Sequence, residues 1–196
     1  MSSQEKQSVA AAYLQLLAAH GIEYLFGNGG TDFAPLNEAI AQLSTRDDAR
    51  IPQPVLVPHE NVAVGMAYGF TLVTGRPQAV MVHVGPGTAN SVNNLLNASR
   101  QRVPILFTAG RTPILETGPL GSRNNFINWA QELYDQAGMV RELVKWDDEL
   151  RQPAQMQTVV TRALALAQSE PQGPVYLMLP REVLAADAVP TDDTIR

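Results

Sequence analysis

Two short stretches of this 196-residue chain hold side chains able to move protons, and each follows an apolar run. His59-Glu60-Asn61 comes directly after Val55-Leu56-Val57-Pro58, and the residues beyond it, Val62 to Ala67, are small or apolar. A carboxyl in that position is either a first-turn acid favoured by a helix dipole or a partly desolvated group with a raised pKa that exchanges protons near neutrality. His83 lies in Ala79-Val80-Met81-Val82-His83-Val84 and immediately precedes Gly85-Pro86-Gly87-Thr88. It reads as a satisfied core histidine or, at a strand's carboxyl end, as an acid–base group.

Glycine loops accompany both. Gly27-Asn28-Gly29-Gly30-Thr31-Asp32 stands where a phosphate loop would stand, but its spacing is not G-x-G-x-x-G, and no Lys follows Gly85-Pro86-Gly87-Thr88. Each loop serves as turn chemistry or as a ligand contact. With no cysteine in the chain, thiolate nucleophiles, thiolate metal sites and disulfides are excluded. The three histidines, His20, His59 and His83, lack HExxH spacing, so no metal site is expected. Ser91, Ser99 and Ser122 lack a nucleophile-elbow setting, which leaves a hydrolase triad without support.

The elements that must position these residues follow from periodicity. Val9, Tyr13, Leu16 and Leu17 predict a helix over Ser8–His20, closed by Gly21. Strands are predicted at Ile22–Phe26, Val55–Val57, Ala79–Val84, Pro104–Thr108 and Pro174–Leu179. Helices are predicted near residues 33–40, 59–74, 89–100, 126–137 and 153–168, the last opened by Pro153. Strands alternating with helices imply right-handed βαβ units. The expected fold is doubly wound α/β, a mainly parallel sheet of about six strands with helices on both faces. Ligands of such sheets gather at strand carboxyl ends, where Gly27–Asp32, Pro58–Asn61 and Gly85–Asn90 all fall.

Composition narrows the partners. Hydrophobic residues at 45% and charged residues at 17% suit a globular core and exclude disorder. Fourteen basic against nineteen acidic residues give a net charge of −5 without a basic run, which argues against nucleic acid or an anionic membrane. The polar start of the chain and the lack of a long apolar stretch lead us to expect a cytoplasmic protein.

Read together, Phe26–Thr31, His59–Phe70 and His83–Asn90 resemble the N-terminal, pyrimidine-binding domain of thiamine diphosphate-dependent enzymes, in the branch of benzoylformate decarboxylase and acetolactate synthase. The resemblance extends through Pro104–Gly110, Val144-Lys145-Trp146 and Gln172–Pro180. It implies a domain over residues 1–184, followed by a linker over 185–196. It implies that Glu60 hydrogen-bonds N1′ of the cofactor aminopyrimidine and favours its imino tautomer, with Pro86 and Asn90 on the cofactor side. His83 matches a histidine that handles substrate protons, and Asn28 and Thr31 fall on the substrate side. The substrate implied is a small 2-oxo acid, processed by a lyase or transferase.

Two departures qualify the match. Gly85-Pro86-Gly87 is closer to the acetolactate synthase turn, while Gly29 stands where many relatives have Pro. No Gly-Asp-Gly occurs, so the half of the site that holds diphosphate and Mg²⁺ is expected in a further C-terminal domain or a partner chain. Asn93-Asn94 and Asn124-Asn125 are not its counterpart. The resemblance also implies a homo-oligomer, dimer or tetramer, with the cofactor across its interface, and an inactive fragment when this chain stands alone. A non-catalytic α/β subunit or small-molecule-binding module on the same scaffold is the alternative.

Overall fold

The computed structural model describes residues 7–189. In chain order the main elements are α1 (Val9–Ala19), β1 (Tyr24–Asn28), α2 (Ala34–Leu43), β2 (Gln53–Leu56), α3 (Glu60–Thr74), β3 (Gln78–Val82), α4 (Val84–Asn90) and α5 (Val92–Arg100). They continue with β4 (Ile105–Arg111), α6 (Ile127–Ala130), β5 (Asp147–Glu149), α7 (Met156–Gln168), β6 (Val175–Pro180) and α8 (Arg181–Ala185). Short 3₁₀ turns lie between several of them.

All six strands pair in parallel, in the order β2-β1-β3-β4-β6-β5. Alternate residues of each central strand feed opposite cores. Ala79 and Met81 of β3 pack with α1, α2 and α7, whereas Val80 and Val82 pack with α3 and α5. Burial on both faces explains the unbroken apolar runs of β3, β4 and β6. The chain runs from β1 outward to β2 and then returns past β1 to β3. The strand order therefore reverses between β1 and β3, and a ligand crevice belongs beyond their carboxyl ends.

Three local expectations are corrected and the sixth strand is located. β3 stops at Val82, and His83 is the N-cap of α4 rather than a strand residue. Gly85-Pro86-Gly87 is the first turn of that helix, where a proline sacrifices no hydrogen bond. Of the helix expected over residues 126–137 only Ile127–Ala130 is α-helical, because the chain then breaks into turns around Asp135 and Gly138, with the Gly138 N–H bonded to Asp135. β5, Asp147-Asp148-Glu149, is a half-exposed edge strand with no apolar signature. The part of the 185–196 linker beyond residue 189 lies outside the described residues, while Ala186 and Ala188 hydrogen-bond to Val9 and Gln7.

Candidate active site

The site is built where β1, β2 and β3 end. Glu60 opens α3 after the edge strand β2; His59 caps the helix, its Nδ1 accepting from the Asn61 N–H. Although Glu60 is only 7% exposed, its carboxylate is met by amides. Asn90, the last residue of α4, donates to Oε2 at 3.0 Å. Of the two alternatives, the first-turn acid is supported and the raised pKa is not. Burial pushes the carboxyl up, but the Glu60 backbone N–H, the Asn90 and Asn28 side chains and the charge of His59 together hold it below its ordinary value. The missed signal was the pair of asparagines, one at a strand end and one at a helix end, which desolvation reasoning left out.

His83 joins a second group. Its Nδ1 lies 2.5 Å from Oδ1 of Asp32, a residue 3% exposed in the 3₁₀ turn Thr31–Phe33 after β1. The Val84 N–H donates to the other carboxylate oxygen at 3.3 Å, and Gln131 Nε2 stands 3.0 Å from His83 Nε2. The Asp32 hydrogen bond raises the His83 pKa against the lowering effect of burial, helped by the charges of Asp32 and Glu60 and by Gln131. Val84 has φ +26, an uncommon region for a β-branched residue, so the backbone beside His83 is held under strain.

The remaining candidates are less central. Thr31 is exposed; its carbonyl accepts from Arg181 at 3.5 Å, and its side chain enters neither group. Pro86 is exposed on the first turn of α4. The site residues missed in the sequence are Asp32 and Gln131. Asp32 stood in the glycine loop and could have been suspected from its place at a strand end, whereas nothing local ties Gln131 to a residue 48 positions earlier. Among the described residues no three His, Asp or Glu side chains form a group able to hold a metal ion.

Residues 7–139 match the family model described as thiamine pyrophosphate enzyme, N-terminal TPP binding domain. The chain belongs to this family. Over 182 residues it is 30% identical to benzoylformate decarboxylase of Pseudomonas aeruginosa, covering 93% of this chain and 31% of that protein. It is 29% identical to the acetolactate synthase large subunit of Lactococcus lactis, over 92% of this chain and 29% of that protein. Among solved structures, a thiamine diphosphate-dependent 4-hydroxybenzoylformate decarboxylase of Rhodococcus jostii superposes with a TM-score of 0.76 at 28% identity, covering 94% of this chain and 32% of that one. The chain thus spans about a third of the length of these relatives. The all-parallel α/β fold agrees with this membership, and no helix among the described residues is long and apolar enough to cross a membrane.

Proposed function

We propose that this chain forms the aminopyrimidine side of the thiamine diphosphate site of a 2-oxo acid decarboxylase or carboligase. The observation that carries this reading is Glu60, a buried carboxylate at a helix N-terminus beside the strand crevice, held chiefly by its backbone N–H and by two amides, with the His59 charge a smaller contribution. Such a donor set suits a flat heteroaromatic ring, because an ionised carboxyl can accept a hydrogen bond from a protonated ring nitrogen or hold that proton itself. Covering Glu60 with a ring would exclude water and push its pKa back up, towards a match with the nitrogen.

When bound, the cofactor supplies the carbanion nucleophile and the electron sink. The protein's task is then positioning and proton management. Glu60 holds a proton at the pyrimidine N1′ position, Asn90 and Asn28 orient its carboxylate, and Pro86 lies on the cofactor side. His83, with Asn28 and Thr31, faces the substrate, where an imidazole can give and take protons.

Residues that hold diphosphate and Mg²⁺ belong, in this reading, to a further domain or a partner copy. Residues 1–184 then form one domain and 185–196 lead out of it. Val62, Met66 and Val73 are exposed on α3, and Leu120, Phe126 and Tyr134 are exposed in the segment that carries Gln131. Both surfaces suit burial against a second copy or a further domain. The expected assembly is a homo-oligomer in the cytoplasm.

Calorimetric titration with thiamine diphosphate and Mg²⁺ tests the reading, on this chain and on a complete assembly that supplies the Gly-Asp-Gly half. Binding confined to the complete assembly, and weakened there by Glu60→Gln, is the expected result. Absence of binding in both favours a non-catalytic module, and tight binding by this chain alone removes the half-site argument.

A further inference from the structure

We propose that Asp32 is a positioning residue for His83: it keeps a proton on Nδ1 and so presents Nε2 as the atom that exchanges protons with the substrate. This rests on the reading of His83 as a substrate-side group and deepens it. Asp32 is buried, and among the described residues its ion-pair partner is His83. Its two oxygens bind on either side of the histidine Cα, one to the ring and one to the next backbone N–H.

The chain is adapted to that contact at three places. A Cβ on Gly30 would run into the His83 ring, a Cβ on Gly110 would run into the Asp32 carboxylate, and Val84 accepts a strained φ. Neither of the arginines beside Asp32 is a competing salt bridge. Arg181 donates to carbonyl oxygens of Gly121, Ser122 and Thr31 and to the Asn124 amide, and Arg111 is directed to Glu149, Thr112 and the Leu133 carbonyl.

An ionised Asp32 can only accept, so Nδ1 carries the proton and Nε2 carries the lone pair, which accepts from the Gln131 amide. When Nε2 takes a proton from the substrate side, the ring becomes an imidazolium, its Nδ1–H stays on Asp32, and a half-turn of the Gln131 amide offers an oxygen to the new N–H. Returning the proton from Nε2 restores the starting state. Asp32 itself is not protonated in either step. The charged groups that bear on the ring are Asp32 and Glu60; Gln131 is neutral.

The test is ¹⁵N spectroscopy of the histidine rings of the full 196-residue chain across pH, with His83→Gln to assign the signal. The expected wild-type signal is an Nδ1–H tautomer titrating above the ordinary 6.5. In Asp32→Asn the amide oxygen serves the Val84 N–H and the NH₂ turns to Nδ1. The tautomer should therefore switch to Nε2–H and the titration fall by about one unit or more. An unchanged tautomer and titration overturn the proposal. Should Asp32→Asn fail to fold, Gln131→Leu decides: it must leave the Nδ1–H tautomer in place, and a switch there would assign the ring's orientation to Gln131 instead. In the complete enzyme Asp32→Asn should move the histidine limb of the kcat pH profile in the same direction with less effect on KM. An active Glu60→Gln enzyme would remove the cofactor reading while leaving the ring spectra as evidence on Asp32.

Discussion

Glu60 and Asp32 are both carboxylates buried beside the carboxyl edge of the same sheet, yet the chain treats their charge in opposite ways. Glu60 follows an exposed edge strand and opens a helix; Asp32 sits in a tight turn after a central strand. The first is met chiefly by amides and is drawn below its ordinary pKa. The second is used internally, on an imidazole and on the backbone of a strained residue. A carboxylate held by amides is prepared for a ligand, whereas a carboxylate held by a histidine prepares the histidine. In the proposed reading Glu60 meets the cofactor, and Asp32 positions the imidazole that exchanges protons.

The largest effect separates them by activity. Glu60→Gln keeps the shape and one accepting oxygen but cannot hold a proton, so turnover of the complete enzyme should fall by about 10²–10⁴-fold, a full general-acid–base contribution. Measured steady-state rates that stay within a few-fold of wild type would erase the distinction between the two groups.

Next is Gly110→Ala, which acts on Asp32 alone. Its Cβ would occupy the space of the carboxylate within a buried strand, so a loss of about 1–3 kcal/mol in urea unfolding is expected, together with loss of the Nδ1–H signal of His83. Gly69→Ala is the control, because a Cβ at Gly69 meets nothing within 4 Å and lies inside α3; that variant should gain about 0.4–1 kcal/mol. If both glycines respond alike, crowding at Asp32 is not the cause.

How much of this contrast was legible follows from the range of the interactions. β3, β4 and β6 announce themselves because burial on both faces demands nearly continuous apolar residues, and Glu60 stands out because it follows Pro58 at the start of an Ala- and Gly-rich helix. β5 was silent: as an edge strand it needs no apolar run, and Asp147-Asp148-Glu149 looks like a loop. His83 was found, but its role as N-cap was hidden by Val84, which extends the apolar run past the strand's end. Of the two readings open for Glu60, the structure supports the first-turn acid with a lowered pKa; the sequence could not decide between them because its partners come from Asn90 and Asn28, 30 positions later and 32 positions earlier. Pairings between side chains across that separation depend on the sheet order, which periodicity does not specify.

Asn90→Ala offers a smaller effect on the Glu60 side. Removing one charge-assisted hydrogen bond from a carboxylate should raise the Glu60 pKa towards its ordinary value and cost about 1 kcal/mol of stability at neutral pH. ¹³C titration of the glutamate carboxyls checks the shift, and no movement would mean that Asn28 and the helix end suffice.

The smallest effect is a pH dependence in which the two groups act in opposite directions. Glu60 has its folded-state pKa depressed, so its contribution is present above the ordinary carboxyl value of 4.5 and is lost as the pH falls through the lower folded value. His83 has its folded-state pKa raised, so its contribution is complete below 6.5 and is lost as the pH rises from there through the higher folded value. Between those limbs stability should be flat in these two terms. Urea unfolding at a series of pH values should show the upper limb disappear in Asp32→Asn with the lower limb intact, and the reverse should hold for Asn90→Ala. A variant that flattens both limbs would show that Glu60 and His83 titrate as one coupled pair, and the division of labour between the two groups would have to be abandoned.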